Sequence, residues 1–572
     1  MNTRIGYVLI LGFLFLSYSA FSQQSRSSLP AYVADQVIVA FEPGTSANAI
    51  ADSHRQAAAS PLRSISAISA VLVNTGGRPV SAVIAAYTKN PNVRYAEPNY
   101  LRVMIMPNEG QDPPPPIGLG IDYFAEQYGL HNTGQDFYYD TLTGAPGAIT
   151  ASAGADVDAP EAWDLHTGDT STTVAVLDTG VDCGHPDLIG KCVVPSINLG
   201  PSATVDDDLG HGTLVASVIG ANSDNGAGIA GVSWGTMIAS VKVCYEYYDF
   251  LYGLIGLCDA AASAAGMTHA ADSGYQVVNM SYAGPTASLA EYEAATYAWN
   301  NGVVLVAAAS NSYSQTPMYP AAFDEVIAVA ATDWFDNLAG FSNFGSSWVS
   351  LAAPGAKLFV AHPYWACGIP DTDPDGCYGW ADGTSFSSPM VAGAAALVSS
   401  YIGPGATNAQ IRTALQDGAD SAGAHGQNML AWTEHGRLNV RGALDASDGV
   451  TPPPPPPPGG SGPHVADLDA SSSNNGSTWS AQVTVSVHDE NHQALSGATL
   501  AYGWSDGSSG QCTTSDGQCI IQSANIAKKT GSIVFTVSNV SFGTSTSTST
   551  YDAASNHDPE NDSNGSAITV FK

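Results

Sequence analysis

Four short segments of this chain are apolar at nearly every position: residues 173–177, 238–243, 277–280 and 303–308. A strand with one wet face alternates apolar and polar side chains. These segments do not alternate, so both of their faces must be covered, as in a parallel sheet packed between helices. The stretches between them are rich in Ala and Gly and long enough for helices, and their small side chains let a helix approach a sheet closely. The fold class of residues 108–449 is therefore α/β: three layers around a mostly parallel sheet.

The rest of the 572-residue chain divides around that unit. Residues 1–22 read as a signal peptide: Arg4 gives a positive start, an apolar run follows, and Ala20 and Ser22 sit at the spacing of a cleavage site. The apolar run is too short to span a bilayer comfortably, so a secreted, extracellular protein with no membrane contact after signal removal is expected. Residues 23–107 form a small α+β unit. Strands are predicted at 36–41, 65–74 and 92–98, and helices at 47–59 and 79–89. Prolines at 113–116 mark a junction. Prolines at 452–458 followed by Gly459-Gly460-Ser461-Gly462 make a linker over 450–463, extended at first and then flexible. Beyond it, in residues 464–572, Val483, Val485 and Val487 alternate with polar residues, as do Ile533, Phe535 and Val537. That is the pattern of an antiparallel β-sandwich.

Composition excludes some functions. The formal net charge is −34. Nucleic-acid binders need basic surface to replace counterions, and anionic membranes repel such a chain. In an exported protein the eight cysteines suggest disulfides. They fall in near pairs: Cys183 and Cys192, Cys244 and Cys258, Cys367 and Cys377, Cys512 and Cys519. Pairing in sequence order is the expectation, although eight cysteines allow many connectivities. Zinc is the rival reading, but no CxxC or finger-like Cys/His spacing occurs.

Three local patterns carry chemistry. Asp178, in Val176-Leu177-Asp178-Thr179-Gly180, ends an apolar strand. It therefore lies at the carboxyl edge of the sheet, where α/β folds bind ligands. His211, in Gly210-His211-Gly212-Thr213, opens an apolar helical stretch. Ser385, in Gly383-Thr384-Ser385-Phe386-Ser387-Ser388-Pro389-Met390, precedes an Ala/Val-rich helix expected over 389–400. Helix-start N–H groups favour a developing anion. Each residue alone has a plain explanation as a cap or a surface group. Together, in the order Asp–His–Ser, they match the subtilisin arrangement.

With these segments the sequence resembles the subtilisin-like serine endopeptidases. Asn279-Met280-Ser281-Tyr282-Ala283-Gly284-Pro285, Ala308-Ala309-Ser310-Asn311 and Ala352-Ala353-Pro354-Gly355 extend the match. Leu214 departs from it, standing where many relatives carry a second His. The resemblance implies an Asp178–His211–Ser385 triad, with Asn311 and the Ser385 N–H as oxyanion donors. It implies that Ser281, Tyr282, Ala283 and Gly284 pair with the substrate backbone. Gly284, Ala309 and Ser310 would line a neutral primary pocket, narrowed by Met318. It further implies a structural Ca²⁺ held by Asp187 and Asn225. Residues 23–107 resemble the family's inhibitory propeptide, with Tyr95-Ala96-Glu97-Pro98-Asn99-Tyr100 close to its end. The C-terminal unit looks like an immunoglobulin-type accessory module.

The function expected is a secreted, monomeric endopeptidase made as an autoprocessed zymogen. It would act on proteins and peptides with broad, uncharged preference, its own propeptide serving as inhibitor. The opposing reading is an inactive binding or adhesion protein on a protease scaffold, which the complete triad disfavours. Charge supports the zymogen: residues 23–105 carry seven Lys/Arg and four Asp/Glu, whereas residues 106–572 carry nine and 47. A basic inhibitor on an acidic enzyme should associate readily and less tightly in salt.

Overall fold

The computed structural model describes residues 29–104, 122–140, 146–249, 253–367, 377–447, 464–474, 478–488, 495–515, 517–530, 532–542 and 567–571. The expected signal peptide, the prolines at 113–116 and the 450–463 linker lie outside them.

Eight parallel strands form the central sheet. Their order is Gly436–Arg437, Leu351–Pro354, Val326–Thr332, Val304–Ala308, Val277–Met280, Thr173–Asp178, Met237–Lys242 and Ile197–Asn198. Side chains alternate between two apolar cores. Val174, Val176, Val304, Val306, Ile327 and Val329 face one. Ala175, Leu177, Leu305, Ala307, Val326 and Ala328 face the other. The helices His211–Gly220 and Thr384–Ile402 cover the first face, and Ala260–Asp272 and Leu289–Asn300 cover the second. Two buried faces explain why these strands read as continuously apolar.

The serine helix begins earlier than the sequence suggests. It runs from Thr384 to Ile402 with Pro389 inside it. Proline there removes the N–H that would bond the Ser385 carbonyl. The Ser281 hydroxyl replaces it, donating to Ser385 O at 2.9 Å. Ser281 Oγ also accepts from Asn279 Nδ2 at 2.9 Å and lies 3.0 Å from Ser388 Oγ.

The N-terminal region contains β1 (Tyr32–Phe41), α1 (Ala47–Ala57), β2 (Ser60–Ile65), β3 (Ala70–Asn74), α2 (Val80–Tyr87) and β4 (Val93–Met104). The β segment expected over 65–74 is strand only from Ala70: a 3₁₀ turn at Ser66–Ile68 and Ser69 at φ 53° separate β3 from β2, an antiparallel partner that begins before the expected segment and ends at Ile65. β4 is longer than expected. It pairs with β1 and then, through Leu101–Met104, with the strand Gly253–Asp259. One antiparallel sheet thus crosses from the N-terminal region into the α/β unit, and the two make one compact unit ending at Ser447.

The second unit, Asp448–Lys572, has two antiparallel sheets. One joins His464–Asn474, Thr478–His488, Gln518–Gln522 and Ile526–Ala527. The other joins Ser509–Thr513, Thr499–Trp504, Ser532–Ser541 and Ala567–Phe571. Val483, Val485, Val487, Ile533, Phe535 and Val537 are all buried in its core, as the alternation required.

Disulfides join Cys183–Cys192, Cys244–Cys258 and Cys512–Cys519, in sequence order. Cys377 is also disulfide-bonded. Cys244 and Cys258 are directly opposed on paired strands, and a loop of this size contributes about 3 kcal/mol by the chain-entropy account. Among the described residues no helix is long and apolar enough to cross a membrane.

Candidate active site

Asp178 ends its strand fully buried, and His211 opens its helix fully buried. His211 Nδ1 donates to Asp178 Oδ1 at 2.7 Å, which fixes the imidazole's orientation and tautomer. The same Oδ1 accepts from Thr179 N at 2.8 Å. Gly212 allows this close seating: a Cβ there would lie 1.9 Å from Gly180 O.

A second carboxylate locks the turn. Asp207 is buried, and its Oδ1 accepts from Thr179 Oγ1 at 2.7 Å and Gly210 N at 2.8 Å. Its Oδ2 accepts from Thr213 N at 2.9 Å and Thr213 Oγ1 at 2.6 Å. Thr179 Oγ1 in turn accepts from Gly212 N at 3.0 Å. Burial pushes the Asp207 carboxyl above its usual range, although all four hydrogen bonds favour the charge. Sequence reasoning passed over Asp207 because it stands in an unremarkable run of three aspartates, 206–208.

Ser385 is the second residue of its helix, only 4% exposed. Its hydroxyl donates to Ser281 O at 3.3 Å. The ring of its neighbour Phe386 lies 5.9 Å from that of His211. Asn311 turns towards Ser385 after Ser310, which adopts φ 89°. Asn311 Oδ1 accepts from Thr384 N and Thr384 Oγ1, each at 2.9 Å. That orients the amide: a point built off Gly383 lies 3.3 Å from Asn311 Nδ2 and 3.6 Å from Ser385 N. Asn311 Nδ2 and Ser385 N thus lie within reach of one point next to Gly383. A hydroxyl, an anchored imidazole and converging donors are the equipment of acyl transfer.

A cavity of about 580 Å³ adjoins Ser385. Ser310 and Met318, expected at the primary pocket, border it together with Ser281, Tyr282, Ala283 and Asn311, and no charged side chain does among the described residues. Two expectations are corrected. Ala309 is not in the cavity; it packs with Ala330, Val349 and Ala352 on the other side of its strand end. Gly284 lies instead against Arg102. Leu214 is buried in the core.

The end of β4 lies through this cleft. Val103 N donates to Ala283 O at 2.9 Å, and Ala283 N to Val103 O at 3.4 Å. On its other edge β4 pairs with Gly253–Asp259. The end of β4 is thus paired at Ala283 in the manner of an added strand.

Comparison with known proteins agrees with this geometry. The model of the subtilase family matches residues 169–435, and that of the fervidolysin N-terminal prodomain matches residues 21–99. A thermophilic serine proteinase of Bacillus sp. (strain AK1) is 33% identical over 415 residues, covering 72% of this chain and 88% of that relative. The chain belongs to the subtilase family. Thermitase of Thermoactinomyces vulgaris is 36% identical over 288 residues, which is 50% of this chain and 93% of thermitase. The crystal structure of fervidolysin from Fervidobacterium pennivorans covers 89% of this chain and 71% of its own at TM-score 0.55 and 22% identity, a likeness of fold. The chain is accordingly a subtilisin-like serine protease, a hydrolase with a prodomain.

The prodomain is held to the α/β unit by hydrogen bonds to helix starts and by an ion pair. Glu97 caps the helix Leu289–Asn300: its Oε1 accepts from Ser288 Oγ at 2.8 Å and Ala290 N at 2.9 Å, its Oε2 from Leu289 N at 3.0 Å. Asn99 Oδ1 accepts from Ala261 N at 3.0 Å, and its Nδ2 donates to Asp259 Oδ1 at 3.0 Å. Arg94 forks onto Glu293 at 2.6 and 2.9 Å.

Of the two residues expected at a calcium site, Asp187 is buried and Asn225 is exposed. Asp187 is buried beside Gly228, its Oδ2 accepts from Ile229 N at 2.9 Å, and no cationic side chain faces it among the described residues. Asn225 Oδ1 accepts from Ala227 N at 3.1 Å. A buried carboxylate lacking a cation suits a hard metal ion, but no group of three or more His, Cys, Asp or Glu is placed to bind one among the described residues.

Asp207→Ala strands the donors of Gly210 and Thr213 in a dry site. Each buried unsatisfied group costs about 1–3 kcal/mol, so the variant should melt well below the parent and lose kcat. Calorimetry and peptide hydrolysis check this; an unchanged melting temperature would remove Asp207 from the account.

Proposed function

We propose that the protein is a secreted endopeptidase, made as a zymogen, in which Asp178, His211 and Ser385 act as a triad. The observation that carries the reading is the 2.7 Å Asp178–His211 hydrogen bond, with the ring of Phe386, next to the helix-start Ser385, 5.9 Å from the imidazole. Ser385 Oγ attacks the scissile carbonyl, forming a C–O bond while His211 Nε2 takes the hydroxyl proton. Asp178 holds Nδ1–H and stabilises the imidazolium. The tetrahedral oxyanion accepts from Asn311 Nδ2 and Ser385 N. Its collapse breaks the C–N bond, and His211 returns the proton to the leaving amine. Water, activated by the same imidazole, then attacks the acyl-enzyme and frees Ser385.

Inhibition follows from the strand pairing. β4 fills the peptide-binding segment, so residues 23–107 block the cleft until cleaved beyond Met104 and released. The mature protease would begin near residue 108 and act as a monomer. With an uncharged cavity bordered by Met318, the side chain next to the cleaved bond would be uncharged and of medium size. Asp187 and Asn225 would hold a structural Ca²⁺ that takes no part in the reaction.

Ser385→Ala should abolish peptide hydrolysis and leave the prodomain attached. A fully processed, active variant would refute the assignment. Asn311→Ala should lower kcat about 10²–10³-fold with KM little changed; a rise in KM alone would make Asn311 a binding residue. Chelation should lower the melting temperature of the mature protease, and an unchanged melt counts against the calcium site.

A further inference from the structure

One contact between prodomain and protease has a chemistry of its own. Arg102 and Glu291 are both fully buried, and each is the other's counterion. Arg102 Nε donates to Glu291 Oε1 at 3.3 Å, and Nη2 donates to Oε2. This fork-to-fork geometry selects a guanidinium over other cations. Glu291 lies in the first turn of the helix Leu289–Asn300, where its own N–H donates to the cap Ser288 Oγ at 3.3 Å. It belongs to the protease and not to the prodomain. Gly284 makes the room: a Cβ there would lie 2.9 Å from Arg102 Nη1 and 3.0 Å from Cδ.

The position of Arg102 along the cleft gives the contact its meaning. Val103 is hydrogen-bonded in both directions to Ala283. The next such position along the segment is Ser281, whose carbonyl lies 3.3 Å from Ser385 Oγ. A peptide lying in the register of β4 places its acyl residue opposite Ser281. The side chain in the place of Arg102 is then three residues upstream, the fourth on the acyl side of the cleaved bond. When β4 leaves, Glu291 remains at that position without the two-pronged partner it holds in this structure, and the group that restores both bonds is another guanidinium.

We propose that Glu291 is a specificity residue, and that the mature protease favours substrates with arginine four residues before the cleaved bond. This rests on the protease reading above and adds a basic requirement remote from the uncharged primary cavity. The prodomain then inhibits in part by presenting the preferred residue.

The test is the hydrolysis of X-Val-Ala-Leu-p-nitroanilide by the mature protease, with X as Arg, Leu or Glu. The Arg peptide should exceed the Leu peptide in kcat/KM by roughly ten- to hundredfold, the worth of a buried charged hydrogen-bonded pair, and the Glu peptide should be slowest. In Glu291→Gln the ratio of Arg to Leu should fall towards one. Equal rates for Arg and Leu in the parent would overturn the proposal and leave the protease reading intact, as would an unchanged ratio in the variant. No cleavage of any peptide would overturn the protease reading itself.

Discussion

Two carboxylates, Asp178 and Asp207, are withdrawn from water at the carboxyl edge of the sheet, and the site depends on how they are satisfied. A buried carboxylate is costly unless donors surround it. Asp178 takes the Thr179 N–H and the His211 imidazole. Asp207 takes Gly210, Thr179 and Thr213. Meeting these needs sets the turn that opens the histidine helix and the direction of its ring. Orientation is thus built into the dry core before any substrate arrives, which is the form of preorganisation that catalysis rewards.

The same economy of donors governs the prodomain. Helix N-termini present N–H groups without partners inside the helix. Glu97 and Asn99 answer those of the two helices on one face of the sheet. β4 then continues into the cleft as a strand. The contacts that cap the two helices and the strand that enters the cleft therefore belong to one surface of the prodomain. Arg102 shows the two merging, since the residue that anchors the strand also probes a pocket of the protease.

Much of this was legible in the sequence. Apolar strands without alternation announced a two-faced parallel sheet, and the segments around Asp178, His211, Ser385 and Asn311 announced the site. What escaped depends on partners distant in the chain. The serine helix could start before Pro389 only because Ser281, 104 residues earlier, bonds the carbonyl that the proline leaves open. Asp207 acquires its role through Thr179, 28 residues away. Arg102 and Glu291 are separated by 189 residues and look like ordinary surface charges until they meet. Ala309 was assigned to the cavity by its neighbours, but alternate residues at a strand end face opposite ways.

The central claim is that Ser385 is the nucleophile activated by His211. A fluorophosphonate reacts with such a serine and leaves a stable adduct, so peptide mapping of the labelled mature protease tests the claim directly. A single adduct on Ser385 is expected, absent when His211 is replaced by alanine. An adduct on another residue, or equal labelling without His211, would contradict it.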